Sequence, residues 1–418
     1  MTAPDPQAAP PPPPEAPPGA ANRPLHRNVK ALGAASLLTD VSSEMVLPVL
    51  PLFLTESLRA SVSALGVIEG VAESAASLLR PATGWLSDRL GWRKPFIVGG
   101  YALSSVSKAG FALAGSWGAV FGLRFGDRLG KAIRTAPRDA LLADSSDSRD
   151  FGRAFGLHRA MDNAGAAIGP LTAFAVLSLF PGDFRRVFAL SFVPGVLSVL
   201  VLVLFVQHVR HRAATFKGFH MEWRALGSPF RRFVLVDFLF RLGASSLAFV
   251  LLRAKQSGFS DAQVPLVYFA FNVVTAFLAY PLGRLSDRVG RRGMVLAGYA
   301  LFAANYAGLA LFDSRVAVFA AFVVLGVHTA LIDGQQKSLI ADLVTADRRG
   351  TAFGVYHMAA GVALLPASVI AGFVWDRFGA AATFALDALL ALLAALLFMV
   401  LVPIGHEWKA RNRDAHAG

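Results

Sequence analysis

The chain is 418 residues long, 55% of them hydrophobic and only 16% charged, with a mean hydropathy of +0.53 and no cysteine. A soluble globular domain does not need that apolar excess, and the lack of cysteine excludes disulfide scaffolds, thiolate zinc sites, cysteine nucleophiles and cysteine-ligated iron–sulfur clusters together. The net charge of +13 would suggest nucleic acid in a soluble protein, so the positions of the cations have to be found before a partner is named.

Residues 1-28 read as a disordered, Pro-rich cytoplasmic tail: ten prolines fall in the first 24 residues, including the run Pro10 to Pro14, and no apolar stretch there could act as a signal-peptide core. From Val29 onward, apolar segments follow at 29-54, 62-83, 95-115, 117-143, 152-179, 187-208, 231-252, 263-283, 293-312, 316-342, 351-375 and 380-404. A bilayer core of roughly 30 Å takes about 20 apolar residues per helix, so each is long enough to span. Lipid offers the backbone no partners, and the runs are too continuously apolar for alternating barrel strands. The expected fold class is an all-α polytopic membrane protein of twelve transmembrane helices. Its expected organisation is a six-helix bundle over 29-208, a cytoplasmic linker over 209-230, a second six-helix bundle over 231-404 and a cytoplasmic tail over 405-418.

Of the forty Lys and Arg residues, 23 lie in or beside the segments on the side that holds both termini and seven on the opposite side. Positive charge concentrates on the cytoplasmic side of membrane proteins, so both termini are expected there, in a cell inner membrane. The connection between spans 6 and 7 contributes most, through Arg210, Arg212, Lys217, Arg224, Arg231 and Arg232. The charge is thereby explained by topology, and nucleic acid is not an expected partner.

The two halves repeat one another. Gly100-Tyr101-Ala102-Leu103 recurs as Gly298-Tyr299-Ala300-Leu301, Ala143-Asp144 as Ala341-Asp342, and Gly152-x-Ala154-Phe155-Gly156 as Gly350-x-Ala352-Phe353-Gly354, each 198 positions on. Between spans 2 and 3 stands a loop carrying Gly84, Asp88, Arg89, Gly91 and Arg93. Its counterpart between spans 8 and 9 carries Gly283, Asp287, Arg288, Gly290 and Arg291. These duplicated loops resemble the signature of the major facilitator superfamily, Gly-x-x-x-Asp-Arg-x-Gly-Arg-Arg, over essentially the whole chain from Val29 to Pro403. The resemblance implies two pseudo-symmetric six-helix bundles and gating loops in which Asp88 with Arg89, and Asp287 with Arg288, lock the cytoplasmic side of the outward-facing state. Span 5 adds Gly165-x-x-x-Gly169-Pro170, which resembles the antiporter motif of the superfamily's drug:proton exporters, although Ala173 and Phe174 replace its terminal glycine pair and small-xxx-small spacing also serves helix packing. In span 4, Arg124 lies twenty positions before Asp144, as the buried Arg of those exporters does, while Asp127 and Arg128 depart from their pattern toward more charge.

Ten basic residues fall inside the spans, half of them in span 4: Arg124, Arg128, Lys131, Arg134 and Arg138. An ionisable group at the bilayer centre costs roughly 2.5–3.5 kcal/mol, so this cluster must face water, solute or opposite charge. Positions 124, 128, 131 and 138 occupy one helical stripe with Arg134 beside it. Carboxylates recur at the same spacing, Asp40 with Glu44 on span 1 and Glu69 with Glu73 on span 2. With a rise of 1.5 Å per residue, Asp40, Glu73 and Arg128 lie about 16 Å from the ends of their spans. Asp40, Glu44, Glu69, Glu73 and Asp127 are therefore candidate proton carriers. Arg124, Arg128, Lys131, Arg134 and Arg138, with Arg241 of span 7, are candidate solute contacts. The competing explanation is an ion-pair network that only holds the spans together. Asp237 with Arg241 and Asp333 with Lys337 are i, i+4 couples of opposite sign, for which neutralisation within the helix is expected. His158 reads as an interfacial side chain near a span end. No nucleotide loop and no metal cluster is present in the sequence, so neither enzyme activity nor a cofactor or metal is expected. The expected function is alternating-access transport of a small polar, anionic or zwitterionic molecule, a drug-like compound or a metal chelate, by a monomer. Proton-coupled efflux is the first direction, uptake of an organic anion with protons the alternative, and a non-transporting membrane sensor the remote one.

Overall fold

The computed structural model describes residues 25–146, 150–207, 223–345 and 348–402. The expected N-terminal tail up to residue 24, most of the 209-230 linker, the 405-418 tail and the side chain of Asp287 lie outside the described residues.

Ten helical stretches are long and apolar enough to cross a membrane. One of them, Arg349–Leu401, is interrupted at Gly379, whose φ of 86° belongs to the left-handed region that a Cβ makes costly, so it comprises two helices. A further helix, Trp117–Asp144, is 28 residues long and falls short only through its charge. The described residues thus form twelve spans: α1 (Arg27–Ser57), α2 (Val62–Leu90), α3 (Arg93–Leu113), α4 (Trp117–Asp144), α5 (Phe151–Leu179), α6 (Phe184–Phe205), α7 (Ser228–Gln256), α8 (Gln263–Val289), α9 (Arg291–Leu311), α10 (Arg315–Leu343), α11 (349–378) and α12 (380–401). Two of these are not regular throughout. The regular part of α1 stops at Val46, and Pro48 and Pro51 are followed by a π-helical turn over Phe53–Ser57. The regular part of α7 stops at Leu242 and resumes at Leu247, leaving Gly243 to Ser246 as an open turn inside the membrane.

Within the first half α1 packs on α5 and α6, and α4 on α2 and α3; within the second, α9 packs on α10 and α8 on α10. The halves meet through α2 against α11 and α5 against α8. Small residues permit the first of these approaches, since a Cβ on Gly70 would stand 3.0 Å from the Leu365 carbonyl oxygen and one on Gly372 would stand 2.7 Å from that of Val62. The internal repeat survives as ion pairs. Arg93 pairs with Asp144, and 198 positions on Arg291 pairs with Asp342 at 2.6 Å. Lys94 caps the end of α6 through the Val203 and Val206 carbonyls (2.9 and 2.6 Å), as Arg292 caps α12 through those of Met399 and Val402 (2.6 and 2.7 Å). The repeated loop glycines Gly91 and Gly290 end α2 and α8 at φ 65° and 93°, which explains why glycine occupies both copies.

These loops mark one face of the molecule, here called the motif side. On the far side the halves are joined. The Asp376 carboxylate at the end of α11 accepts from the Val62 and Ser63 backbone N–H groups that open α2 (3.0 and 2.8 Å), and Lys255 of α7 reaches both Glu56 of α1, at 3.2 Å, and Asp261.

Candidate functional site

A cavity of about 980 Å³ opens between the halves on the motif side, with Trp85, Asp88 and Gly283 at its mouth. A deeper part of about 480 Å³ adjoins it, sharing Arg80, Arg159, Asn163, Thr275 and Ala276, so the two are one continuous space. Asp40 and Glu44 of α1, Lys131, Arg134 and Arg138 of α4, and Asp162 of α5 line the deep part from the first half; Phe271, Asn272, Thr275 and Thr329 line it from the second. The placement follows from helix periodicity: Asp40 and Glu44 share one face of α1, and residues 131, 134 and 138 share one face of α4.

The deep cavity is rich in cations without counter-ions. Among the described residues, Lys131 and Arg159 have no ion-pair partner within 4.0 Å. Arg80 and Arg134 make none either, and both have a buried Nε without a hydrogen-bond partner. The Arg134 guanidinium lies 4.2 Å above the Tyr101 ring, which orients it without discharging it. Arg138 is satisfied, donating to Asp139 Oδ1 at 3.0 and 2.9 Å and to Ser36 Oγ at 3.3 Å. Among the acids, Asp162 pairs with His158 Nδ1 at 3.3 Å, and Glu44 accepts from the Tyr268 hydroxyl of α8 at 2.6 Å, a bond that crosses between the halves. Asp40 has no ion pair among the described residues.

Arg124 and Arg128 sit elsewhere. Arg124 grips Glu69 with both ends of its fork (Nε–Oε1 2.8 Å, Nη2–Oε2 2.9 Å), and Arg128 Nε reaches Glu73 at 3.0 Å and Asp127 at 3.7 Å. Asp127 also accepts from Ser104 of α3. Arg124, Glu69 and Asp127 are buried to within a few per cent, while the Glu73 side chain keeps 35% exposure in a smaller cavity of about 230 Å³ toward the far side. The single α4 stripe therefore serves two settings. Its far-side half closes an ion-pair cluster with α2, and its motif-side half faces the open cavity. From 124 to 138 the stripe rises about 21 Å, and the partners change with depth.

The second half carries a closed polar cluster. Arg241 Nε donates to Asp237 at 2.6 Å and its Nη2 to the Tyr356 hydroxyl at 2.6 Å; Tyr299 and Gln336 both donate to Asp237 Oδ1 at 2.6 Å. Arg241 reaches the cavity lining with its charge already neutralised. Asp333 and Lys337, in contrast, form no ion pair with each other and stand exposed in the wide part of the cavity. At the mouth, Asp88 meets Arg93 at 3.4 Å, and Arg89 lies over the Trp85 ring at 5.3 Å. Arg288 is exposed. Gly84 gives α4 room at Ala136, 3.0 Å from where its Cβ would be. Gly165 and Gly169 lie against α1 beside the two carboxylates: a Cβ at Gly165 would stand 2.8 Å from that of Asp40, and one at Gly169 2.6 Å from that of Glu44. Pro170 is buried within the same helix.

Sequence patterns match this architecture. The family model of the Major Facilitator Superfamily matches residues 32–251 and 233–417. The chain belongs to the major facilitator superfamily. It is 33% identical over 385 residues to the uncharacterized MFS-type transporter MJ1317 of Methanocaldococcus jannaschii, spanning 90% of this chain and 96% of that protein. It is 24% identical over 327 residues to the multidrug resistance protein MdtH of Aeromonas hydrophila, spanning 77% and 81%. Among solved structures, the nucleoside transporter NupG superposes with a TM-score of 0.73 over 90% of this chain and 98% of that one, at 14% identity, a likeness of fold alone. The protein is thus a multi-pass membrane transporter of small molecules, not an enzyme.

Several residues of this superfamily member's cavity had no assigned role in the sequence. Arg80, Arg159, Asn163, Asp162 and Tyr268 all line or touch it. The i, i+4 spacing of His158 and Asp162 was a readable signal for their contact. Nothing in the sequence pairs Tyr268 with Glu44, 224 positions away.

Proposed function

We propose that the protein carries a small polar anion or zwitterion across the inner membrane by alternating access, coupled to protons and working as a monomer with both termini in the cytoplasm. The observation that carries this reading is the meeting of Asp40 and Glu44 with the unpaired Lys131, Arg134 and Arg159 in one cavity. The positive-inside bias supports a cytoplasmic motif side, which makes the described state inward-facing. In the opposite state Asp88 and Arg89, in the last turn of α2 rather than in a loop, and Asp287 and Arg288, likewise at the end of α8, close that side, while Glu73, which already faces the far-side cavity, exchanges protons there.

Charge sets the sign of coupling. A proton on Asp40 removes a negative charge from the cavity that holds the free cations and so strengthens the hold on an anion; by linkage, bound anion strengthens the hold on the proton equally. Proton and anion then travel together, and an inward proton gradient drives uptake. Exchange-driven efflux is the second reading, supported by Gly165-x-x-x-Gly169-Pro170 and by the likeness to MdtH. It needs a solute that competes with the proton, which a cation does most directly, and the cation-rich lining favours the first reading.

The test is a pH-sensitive dye inside proteoliposomes, read while anionic, zwitterionic and cationic solutes are added outside. Internal acidification that accompanies entry of an anion or zwitterion is the expected result. Proton movement opposite to a cation would establish exchange instead, and solute-independent dye signals with no flux of any class would defeat the transport reading.

A further inference from the structure

Resting on the reading of the deep cavity as the transport path, we infer that its solute is a small oxyanion bearing at least two negative charges, with a polar body. Arg134 is the anchor. The residue is 5% exposed, it lines the cavity, and among the described residues its Nε and Nη1 have no hydrogen-bond partner and no carboxylate lies within 4.0 Å. Leaving a guanidinium buried and unpaired is strongly unfavourable, and the planar fork of N–H donors that Arg presents suits an oxyanion. The Tyr101 ring beneath it holds the plane of that fork.

The surrounding charge sets the valence. Among the described residues, Arg80, Lys131 and Arg159 join Arg134 as cavity cations without an ion pair, against two carboxylates without one, Asp40 and Glu44, the latter bonded by the neutral Tyr268 hydroxyl, while Asp162 pairs with His158. That leaves a surplus of two positive charges, half of which a monoanion leaves uncompensated. A zwitterion adds a cation of its own to a site already in cation surplus, and a simple cation meets net repulsion. The second half contributes no free charge to the deep part. Asn272, Thr275 and Thr329 offer only neutral hydrogen-bonding groups, suited to hydroxyl or amide groups on the solute body.

The experiment uses the full chain in lipid nanodiscs, with thermal unfolding followed by intrinsic tryptophan fluorescence. The probes are inorganic phosphate, succinate and glycerol phosphate against acetate, glycine betaine and choline. Multivalent anions should raise the unfolding temperature where acetate, betaine and choline do not, and the shift should shrink as NaCl is raised. Arg134→Gln should weaken that binding by about tenfold or more, and Arg134→Lys, which keeps the charge without the fork, should fall between. Should Arg134→Gln not fold, the paired Lys131→Gln/Arg159→Gln variant is expected to lose the same stabilisation. Preferential stabilisation by betaine or choline, or multivalent-anion binding unchanged in these variants, would overturn the inference. Counterflow of the bound probe in proteoliposomes separates the two claims: binding without movement leaves the anion site standing and defeats transport, whereas movement of cations alone does the reverse.

Discussion

At the scale of single residues, two kinds of charged side chain share the first half, and they should respond differently to removal. Arg124, Glu69 and Asp127 form a closed buried set in which each charge depends on the others. Breaking a buried pair strands an uncompensated charge and costs about 3–5 kcal/mol. Glu69→Ala should accordingly lower the yield of folded protein and its unfolding temperature in detergent, and Arg124→Ala should do the same, with the double variant less damaged than the sum of the singles. Asp40→Asn removes a carboxylate that has no ion pair to lose, so its folded yield and unfolding temperature should match the wild type. A well-folded Glu69→Ala protein would show that the buried set is dispensable and would reopen a transport role for it. Spacing alone could not sort these residues. The couples Asp237–Arg241 and Asp333–Lys337 have identical spacing, yet the first closes at 2.6 Å and the second does not form. Asp237 is fixed by Tyr299 and Gln336 from neighbouring helices, whereas Asp333 and Lys337 face open space and stay solvated.

At the scale of elements, the far-side closure depends on helix ends. The N-terminus of α2 has unsatisfied backbone N–H groups and a positive dipole end, and Asp376 supplies a carboxylate to both from the other half of the molecule. Rocking the halves apart must break this cap. Its loss is worth about 1–2 kcal/mol, or roughly a five- to thirtyfold change in the opening equilibrium. The chain contains no cysteine, so a single introduced thiol reports cleanly. Ser368→Cys places one at a buried position on the far-side cavity. Asp376→Asn should speed its labelling by a membrane-impermeant maleimide several-fold; unchanged labelling would mean that the cap does not hold the closed side. Helix existence was readable from apolar run length, and the irregularity of α1 coincides with Pro48 and Pro51, where a bend was foreseeable. The open turn in α7 was not: Gly243 to Ser246 contains no proline, and Gly243 is there because α12 comes within 2.8 Å of where its Cβ would be, at the Asp387 carbonyl oxygen. Asp387 itself, buried in α12 and bonded to Ser245 at 2.5 Å, belongs to the same junction and carries no local signal of it.

At the scale of the whole molecule, the repeat was the most informative feature of the sequence. A constant offset of 198 positions reappears as two equivalent ion pairs and two equivalent helix caps, because duplicated residues occupy equivalent places in the two bundles. What the repeat conceals is the asymmetry on which the proposed transport depends. Asp40 and Glu44 open into the cavity beside free cations, while Asp237 and Arg241, 197 positions on, neutralise each other. Which charges stay free is set by contacts between helices far apart in sequence, such as Tyr268 on Glu44, and by depth along a helix, neither of which periodicity encodes. The outcome, in the deep part of the cavity, is one half that carries charge and one that offers neutral polar contacts.

The most direct measurement compares two transport modes in proteoliposomes bearing wild type or Asp40→Asn, with a labelled multivalent anion that the wild type accumulates. Exchange of labelled for unlabelled solute needs the cavity and the rocking motion but no net proton movement, whereas accumulation against a gradient needs the proton site. The expected result is solute exchange close to the wild-type rate in Asp40→Asn together with loss of proton-driven accumulation. Full accumulation in that variant, with its exchange intact, would contradict the assignment of coupling to Asp40.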